Sequence, residues 1–240
     1  MQKAILYYTD NRLDPAIMQA CQRQIEKSGL PVYSVSLEPI EFGNNYVLGG
    51  YPEPGPAAMF HQILRGLQMI QEEIVFFCEH DVLYHPSHFE FTPERQDVYY
   101  YNLNVWKVRT SDWHAVKVDF CQQTSGLCAY RKLLLEHYYK RVALVYHNGY
   151  SSKMGFEPGT HNRPERVDDY KAESWSSPFP NLDLRHGKNL TPSRWKPEQF
   201  RNKRFTAGWK EADEVVGWGR LSDVLAPAGP GVASTDWRGV

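Results

Sequence analysis

The chain of 240 residues carries almost no net charge, with 27 Lys and Arg against 28 Asp and Glu. That balance excludes a protein-wide electrostatic grip on nucleic acid and leaves room only for a local basic patch. No apolar run approaches the roughly 20 residues that a membrane-spanning helix requires. Cysteine is sparse. Cys21, Cys78, Cys121 and Cys128 form no C-x-x-C pair, which argues against a thiolate metal cluster or a disulfide scaffold and suits a reducing compartment. Met1-Gln2-Lys3-Ala4 enters an apolar stretch without the regions of a signal peptide, so a cytoplasmic location is expected. Glycine is missing from Tyr8-Thr9-Asp10-Asn11-Arg12, where a phosphate-cradling loop after a first strand would need it. Aromatics, in contrast, are plentiful: 7 Trp, 15 Tyr and 11 Phe. Such rings fill cores and suit stacking against bases and sugars. This length favours one domain with a sizeable core.

Residues 4–8 read as a strand, and Asp14-Pro15 opens a helix to about residue 27, with proline in its first turn. Ser28-Gly29 stops that helix, and residues 32–37 form a second strand. This β-α-β beginning predicts a parallel sheet. Residues 38–56 are rich in Gly, Pro and Asn and predict an irregular loop, followed by a helix over 57–70. Residues 97–106 predict one strand with 115–121 as its partner, and a helix runs from 130 to 146. The polar stretch 151–166 resists regular assignment, as functional loops often do. Residues 168–175 read as helical, and 182–185 as a short strand ending at His186. The expected division is a domain over 1–216 and an irregular C-terminal tail or surface strap over 217–240.

The most informative stretch is Ile74-Val75-Phe76-Phe77-Cys78-Glu79-His80-Asp81. Its apolar run reads as a buried parallel strand that ends in two carboxylates. Side chains at i and i+2 of a strand share a face, so Glu79 and Asp81 are expected to converge. Two buried anions are costly unless water or a cation neutralises them. Hard carboxylate oxygens suit Mg²⁺ or Mn²⁺. Ligands of parallel sheets bind beyond the C-terminal ends of the strands, and Thr9-Asp10-Asn11 stands at such an end too.

In this strand and its E-x-D terminus the chain resembles the GT-A-fold glycosyltransferases, in a family 2-like form, over most of residues 3–195. The resemblance implies an α/β fold: a GT-A-like, Rossmann-type mixed sheet, mostly parallel, flanked by helices in a single domain. It implies a nucleotide-sugar donor, a UDP-sugar foremost, and Mn²⁺ or Mg²⁺ held by Asp81 and His186, with Glu79 in place of the usual first Asp. Thr9, Asp10, Asn11 and Arg12 resemble the loop that binds base and ribose. Arg65 on the preceding helix, Glu79 and His80 of E-H-D, and Lys188 and Arg194 beyond the His are implied donor contacts. Val167-Asp168-Asp169 resembles the x-E-D motif, so Asp169 is the implied base of an inverting transfer. Asp168 and Glu165 are alternates, and Glu157 and Glu173 rivals. Alone, Asp168-Asp169 is more often a helix N-terminal charge pair favoured by the dipole. Thr124-Ser125-Gly126 resembles the segment that approaches the sugar, where Gly126 would permit close backbone contact.

Residues 188–210 interleave Lys188, Arg194, Lys196, Arg201, Lys203, Arg204 and Lys210 with Trp195, Phe200, Phe205 and Trp209. That pattern fits either a solvated basic helix or a surface for nucleic acid. Two acceptor classes therefore stay open: a hydroxymethylated pyrimidine in DNA, as in phage-type modification, and a saccharide. His80, His85 and His88 invite a zinc reading, but no H-E-x-x-H accompanies them. The competing functions are a sugar-nucleotide nucleotidyltransferase, against which the glycine-free loop counts, and a non-catalytic sugar- or nucleic-acid-binding module on the same fold.

Overall fold

The structure, a computed structural model, describes residues 1–50, 54–161, 164–167 and 171–225. Asp168 and Asp169 thus lie outside the described residues. A seven-stranded sheet forms the body. At its centre are β1 (Lys3–Thr9) and β4 (Ile74–Glu79), flanked by β2 (Val32–Ser36) and the edge strand β3 (Asn44–Val47), all parallel. Beyond β4, β9 (Leu127–Tyr130) runs antiparallel to both β4 and β6 (Tyr99–Asn102), and β10 (Ala172–Trp175) closes the far edge parallel to β6. The class is the one expected, α/β with a mostly parallel Rossmann-type sheet.

Alternation along β1 and β4 divides the core. Leu6, Tyr8, Val75 and Phe77 face α2 (Pro56–Met69) and α3 (Arg131–Asn148), whereas Ile5, Tyr7, Ile74 and Phe76 face the opposite side with Tyr84 and Phe89. Burial on both faces explains why these strands read as continuous apolar runs rather than alternating ones. Helix α2 lies close to β1 because Gly66 has no side chain; a Cβ there would sit 2.1 Å from Leu6 Cδ1. On the other side α1 (Pro15–Glu26), capped by Asp14 accepting from Ala16 N at 2.8 Å, contributes Ala20 and Cys21 to a third apolar cluster.

That cluster belongs to a second, five-stranded sheet in the order β12-β8-β7-β11-β5, built from β5 (Val82–Leu83), β7 (Val105–Arg109), β8 (Ala115–Lys117), β11 (Asn181–Arg185) and β12 (Lys210–Ala212). Several local expectations change here. The single strand over 97–106 is two strands in two sheets, because the Asn102 side chain accepts from Asn104 N at 2.9 Å and turns the chain between them. The predicted loop over 38–56 contains β3, whose polar Asn-Asn start gives no strand signal. The expected helix over 168–175 is strand β10 in its described part, recruited by pairing with β6. Residues 188–210 form no α-helix, only short 3₁₀ turns at Pro197–Gln199 and Lys203–Thr206 before β12. Residues 217–225 pack on the second sheet, with Leu221 buried and Trp218 Nε1 donating to Pro180 O at 2.7 Å. Among the described residues no helix is long and apolar enough to cross a membrane.

Candidate active site

Two adjacent strand ends start the site. Tyr8 is in register with Glu79, so the exits of β1 and β4 leave the sheet side by side. Tyr8 Oη donates to Glu79 Oε1 at 2.8 Å, and Thr9 Oγ1 meets His80 Nδ1 at 2.6 Å. Buried Gln62 on α2 donates to the carbonyls of Thr9 (2.7 Å) and Val35 (3.2 Å), satisfying strand-end acceptors that the ladder leaves open. Asn11 adopts φ 62°, a left-handed conformation that Asn tolerates. Its Oδ1 accepts from Leu37 N and Glu38 N at 2.9 and 3.0 Å, so it braces the loop and does not line the cleft. Asp10 does line it, but Arg12 already takes both its oxygens, through N at 3.1 Å and Nε at 2.9 Å.

β4 ends at Glu79, and His80-Asp81 form a turn before β5. The i, i+2 rule therefore lapses one residue before Asp81. Glu79 stays with Tyr8, whereas Asp81 faces the second sheet. Its carbonyl accepts from Leu184 N at 2.8 Å, which draws the end of β11 to the end of β4. His186, 105 residues away in sequence, then places Nε2 3.3 Å from Asp81 Oδ2. Asn189 locks this contact. Its Nδ2 donates to Asp81 Oδ2 at 2.7 Å, and its Oδ1 accepts from His186 N at 2.6 Å. Lys188 crosses the opening, with Nζ donating to Arg12 O at 2.7 Å.

The two carboxyls of E-H-D part in acidity. Burial, reinforced by the Asp81 charge, pushes Glu79 up to about 8 despite its hydrogen bond from Tyr8. Burial also acts to raise Asp81, but the hydrogen bond from His186 and the charges of His80, His186 and Arg185 outweigh it and hold that carboxyl below its ordinary value. Glu79 is thus the weaker acid of the pair and Asp81 the stronger.

His80, Asp81 and His186 each bring a donor atom within 4.8 Å of the others. That is close to the span of ligands around one cation bound at about 2.1 Å, so the donor set fits a divalent ion. Lys188 N lies 3.2 Å from His186 Nδ1, which orients Nε2 towards Asp81.

The cleft spans about 1130 Å³, open mouth included. Its opposite wall comes from the second sheet. Asp183 on β11 is 5% exposed and pairs with Arg185 Nη1 at 3.3 Å, beside its cross-strand neighbour Lys107. Sequence reasoning missed Asp183, Arg185 and Asn189. The alternation in Asn181-Leu182-Asp183-Leu184-Arg185 is the signal for the first two; Asn189 read as an ordinary turn residue. Glu157 also lines the cleft, with Arg166 Nη2 at 3.4 Å.

Other expected site residues stand elsewhere. Arg65 lies with its guanidinium 4.2 Å over the Tyr46 ring, and Arg194 lies 5.3 Å over Phe200; neither lines the cleft. Glu165 is exposed on the turn Pro164–Arg166. Gly126 makes its close approach to backbone, since a Cβ would meet Asn102 O at 3.0 Å. The zinc triplet disperses. His85 Nδ1 meets Ser87 Oγ at 2.9 Å, and His88 is buried between Asn102 and Asn181.

No protein-family model matches the chain, and no curated protein does. Among solved structures, a glycosyltransferase involved in glycosylation of the major capsid of PBCV-1 is similar over 73% of this chain and 82% of its own, with TM-score 0.43 and 12% identity. The glycosyltransferase GlyE of Streptococcus pneumoniae TIGR4 is similar over 73% of this chain and 45% of its own, at TM-score 0.44 and 11% identity. A putative protein from Aquifex aeolicus VF5 is similar over 64% and 80%, at TM-score 0.39 and 15% identity. These likenesses are distant, with identities of 11–15%.

Proposed function

We propose that the protein is a metal-dependent glycosyltransferase that moves a sugar from a nucleotide sugar, a UDP-sugar in the first instance, to an acceptor hydroxyl with inversion. The observation that carries this reading is the meeting of Asp81, which lines the cleft at the exit of β4 beside the β1 exit, with His186 at the exit of β11. Asp81 and His186 would hold a divalent cation such as Mn²⁺, whose Lewis acidity would stabilise charge on a leaving diphosphate. Lys188 adds an ammonium at the same mouth, suited to a second phosphate charge. Asp10 accepts from base or ribose through the lone pairs that Arg12 leaves.

In the transfer, the acceptor oxygen forms its bond to the anomeric carbon as the bond to the diphosphate oxygen breaks. The electron pair departs with the nucleotide, and the hydroxyl proton goes to a carboxylate within hydrogen-bond reach. Asp169 is the proposed base from its motif, and Glu157 and Asp183 are rivals that line the cleft. Exposed bases stacked on aromatics, such as Arg204 at 4.1 Å over Phe120, favour a polyanionic acceptor such as a DNA strand.

The test is turnover of a panel of nucleotide sugars with Mn²⁺, read as nucleotide diphosphate release. Release from a UDP-sugar that stops on chelation supports the proposal. Pyrophosphate release from a nucleoside triphosphate and a sugar phosphate would instead establish the nucleotidyltransferase. Donor binding with no turnover on any acceptor would leave a binding module.

A further inference from the structure

The donor set of the site differs from the one its sequence motif suggests. The two carboxylates of Glu79-His80-Asp81 were expected to act together, yet Glu79 is absent from the trio that converges and is committed to Tyr8 Oη at 2.8 Å. The middle residue takes its place. Because β4 stops at Glu79, His80 and Asp81 occupy a turn, where neighbouring side chains are no longer forced to opposite faces.

We propose that His80 is itself a cation ligand, so that His80, Asp81 and His186 form a two-imidazole, one-carboxylate site that prefers Co²⁺ and Zn²⁺ to Mn²⁺ and discriminates strongly against Mg²⁺. The inference rests on the proposed function only in that a cation is taken to bind at Asp81 and His186.

Three observations support it. The His80 ring is steadied by Thr9 Oγ1 at 2.6 Å, and that hydroxyl is fixed in turn by Asn11 N at 3.0 Å. Such an outer contact is the usual way a ligating imidazole is oriented. Asp81 has a matching outer partner in Asn189 Nδ2 at 2.7 Å, which occupies Oδ2 and leaves Oδ1 for an ion. All three side chains are largely withdrawn from solvent, at 17% exposure for His80, 10% for Asp81 and 11% for His186, so water competes poorly for the ion. Imidazole nitrogens favour the later first-row divalent ions, whereas Mg²⁺ demands oxygen ligands and keeps its waters.

The test uses the full chain with the metal alone, without donor or acceptor. Titration with Co²⁺, followed by its visible ligand-field bands, should give tight binding to the wild type, with competition in the order Zn²⁺, Mn²⁺, Mg²⁺ from strongest to weakest. His80→Gln should weaken Co²⁺ binding by about 100-fold or more, the upper end of what loss of a mere outer-shell partner costs, and should leave Mg²⁺ binding nearly unchanged. Glu79→Gln should retain Co²⁺ affinity. On the unmutated protein loaded with Cu²⁺, pulsed EPR should count two coordinated imidazoles, a result that does not depend on any variant folding. One imidazole, or wild-type Co²⁺ affinity in His80→Gln alongside a dead Asp81→Asn, overturns the inference and leaves the cation site of the proposed function standing. Absence of any cation binding to the wild type overturns both.

Discussion

Acidification should loosen the junction between the two sheets at His88. This ring is fully buried between Asn102 on β6 and Asn181 on β11, whose amides lie 2.9 and 3.1 Å from its Nδ1. It stacks on Trp175 at 5.6 Å. Protonation would set an N–H against both amide donors and leave a charge in the core. Burial accordingly holds its pKa down to about 3, against an ordinary 6.5. Between those values the unfolded chain binds the proton and the folded one does not, so stability rises with pH across that window. The contribution is complete above the unfolded value and is lost as pH falls through the folded one. Linkage between the two values gives a loss of about 2 kcal/mol between roughly pH 7.5 and 5, growing to about 4 kcal/mol near pH 3. His137, lowered by burial and then by the Arg141 charge, adds a loss of the same sign. Urea unfolding followed by tryptophan fluorescence at the two pH values measures it. In His88→Gln, whose amide oxygen still accepts but does not titrate, the loss on acidification should be smaller by about 2 kcal/mol, whatever that variant's stability at neutral pH. Equal losses in the two proteins would refute the assignment.

Asn189→Ala removes the brace between Asp81 and His186 and should weaken cation affinity by about 10- to 100-fold with an unchanged melting temperature, as read by calorimetry. Among Asp169→Asn, Glu157→Gln and Asp183→Asn, the variant lacking the base should lose about 10²–10⁴ in kcat while keeping donor affinity; a product of retained anomeric configuration contradicts the inverting mechanism for all three. Asn11→Ala strips the Leu37 and Glu38 amides of their acceptor and leaves at φ 62° a residue without the short polar side chain that makes this conformation tolerable, which should cost about 2–4 kcal/mol in denaturant unfolding. Asn11→Gly should recover only the conformational share of that loss.

Strands β1 and β4 and helices α1 and α2 were legible because each carries one dominant signal: a doubly buried apolar run, or a first-turn proline followed by a periodic face. Edge strands were not. Asn44-Asn45 has turn-forming chemistry, and β10 exists only because β6 offers an unpaired edge. The break at Asn102 between two strands of similar composition depends on a side-chain hydrogen bond to Asn104 that no periodicity records. At the site, the order of Asp81 before His186 carried real information, and the fold brings the two together. The roles of neighbouring residues depended on one detail of register. With β4 ending at Glu79 rather than Asp81, the i, i+2 expectation gives way to a turn that turns Glu79 towards Tyr8 and gathers His80 with Asp81. Asp183 was hidden for a different reason. Its strand looked like a mere carrier of His186, and only the parallel pairing with β7 shows that its polar face forms a wall of the cleft.

Calorimetric titration of a UDP-sugar into the wild type and into Asp81→Asn, each with and without Mn²⁺, tests the central claim most directly. Donor binding to the wild type should require the cation, and Asp81→Asn should bind none at an unchanged fold. Donor binding of equal affinity in both proteins, or in the wild type with the cation chelated, would contradict it.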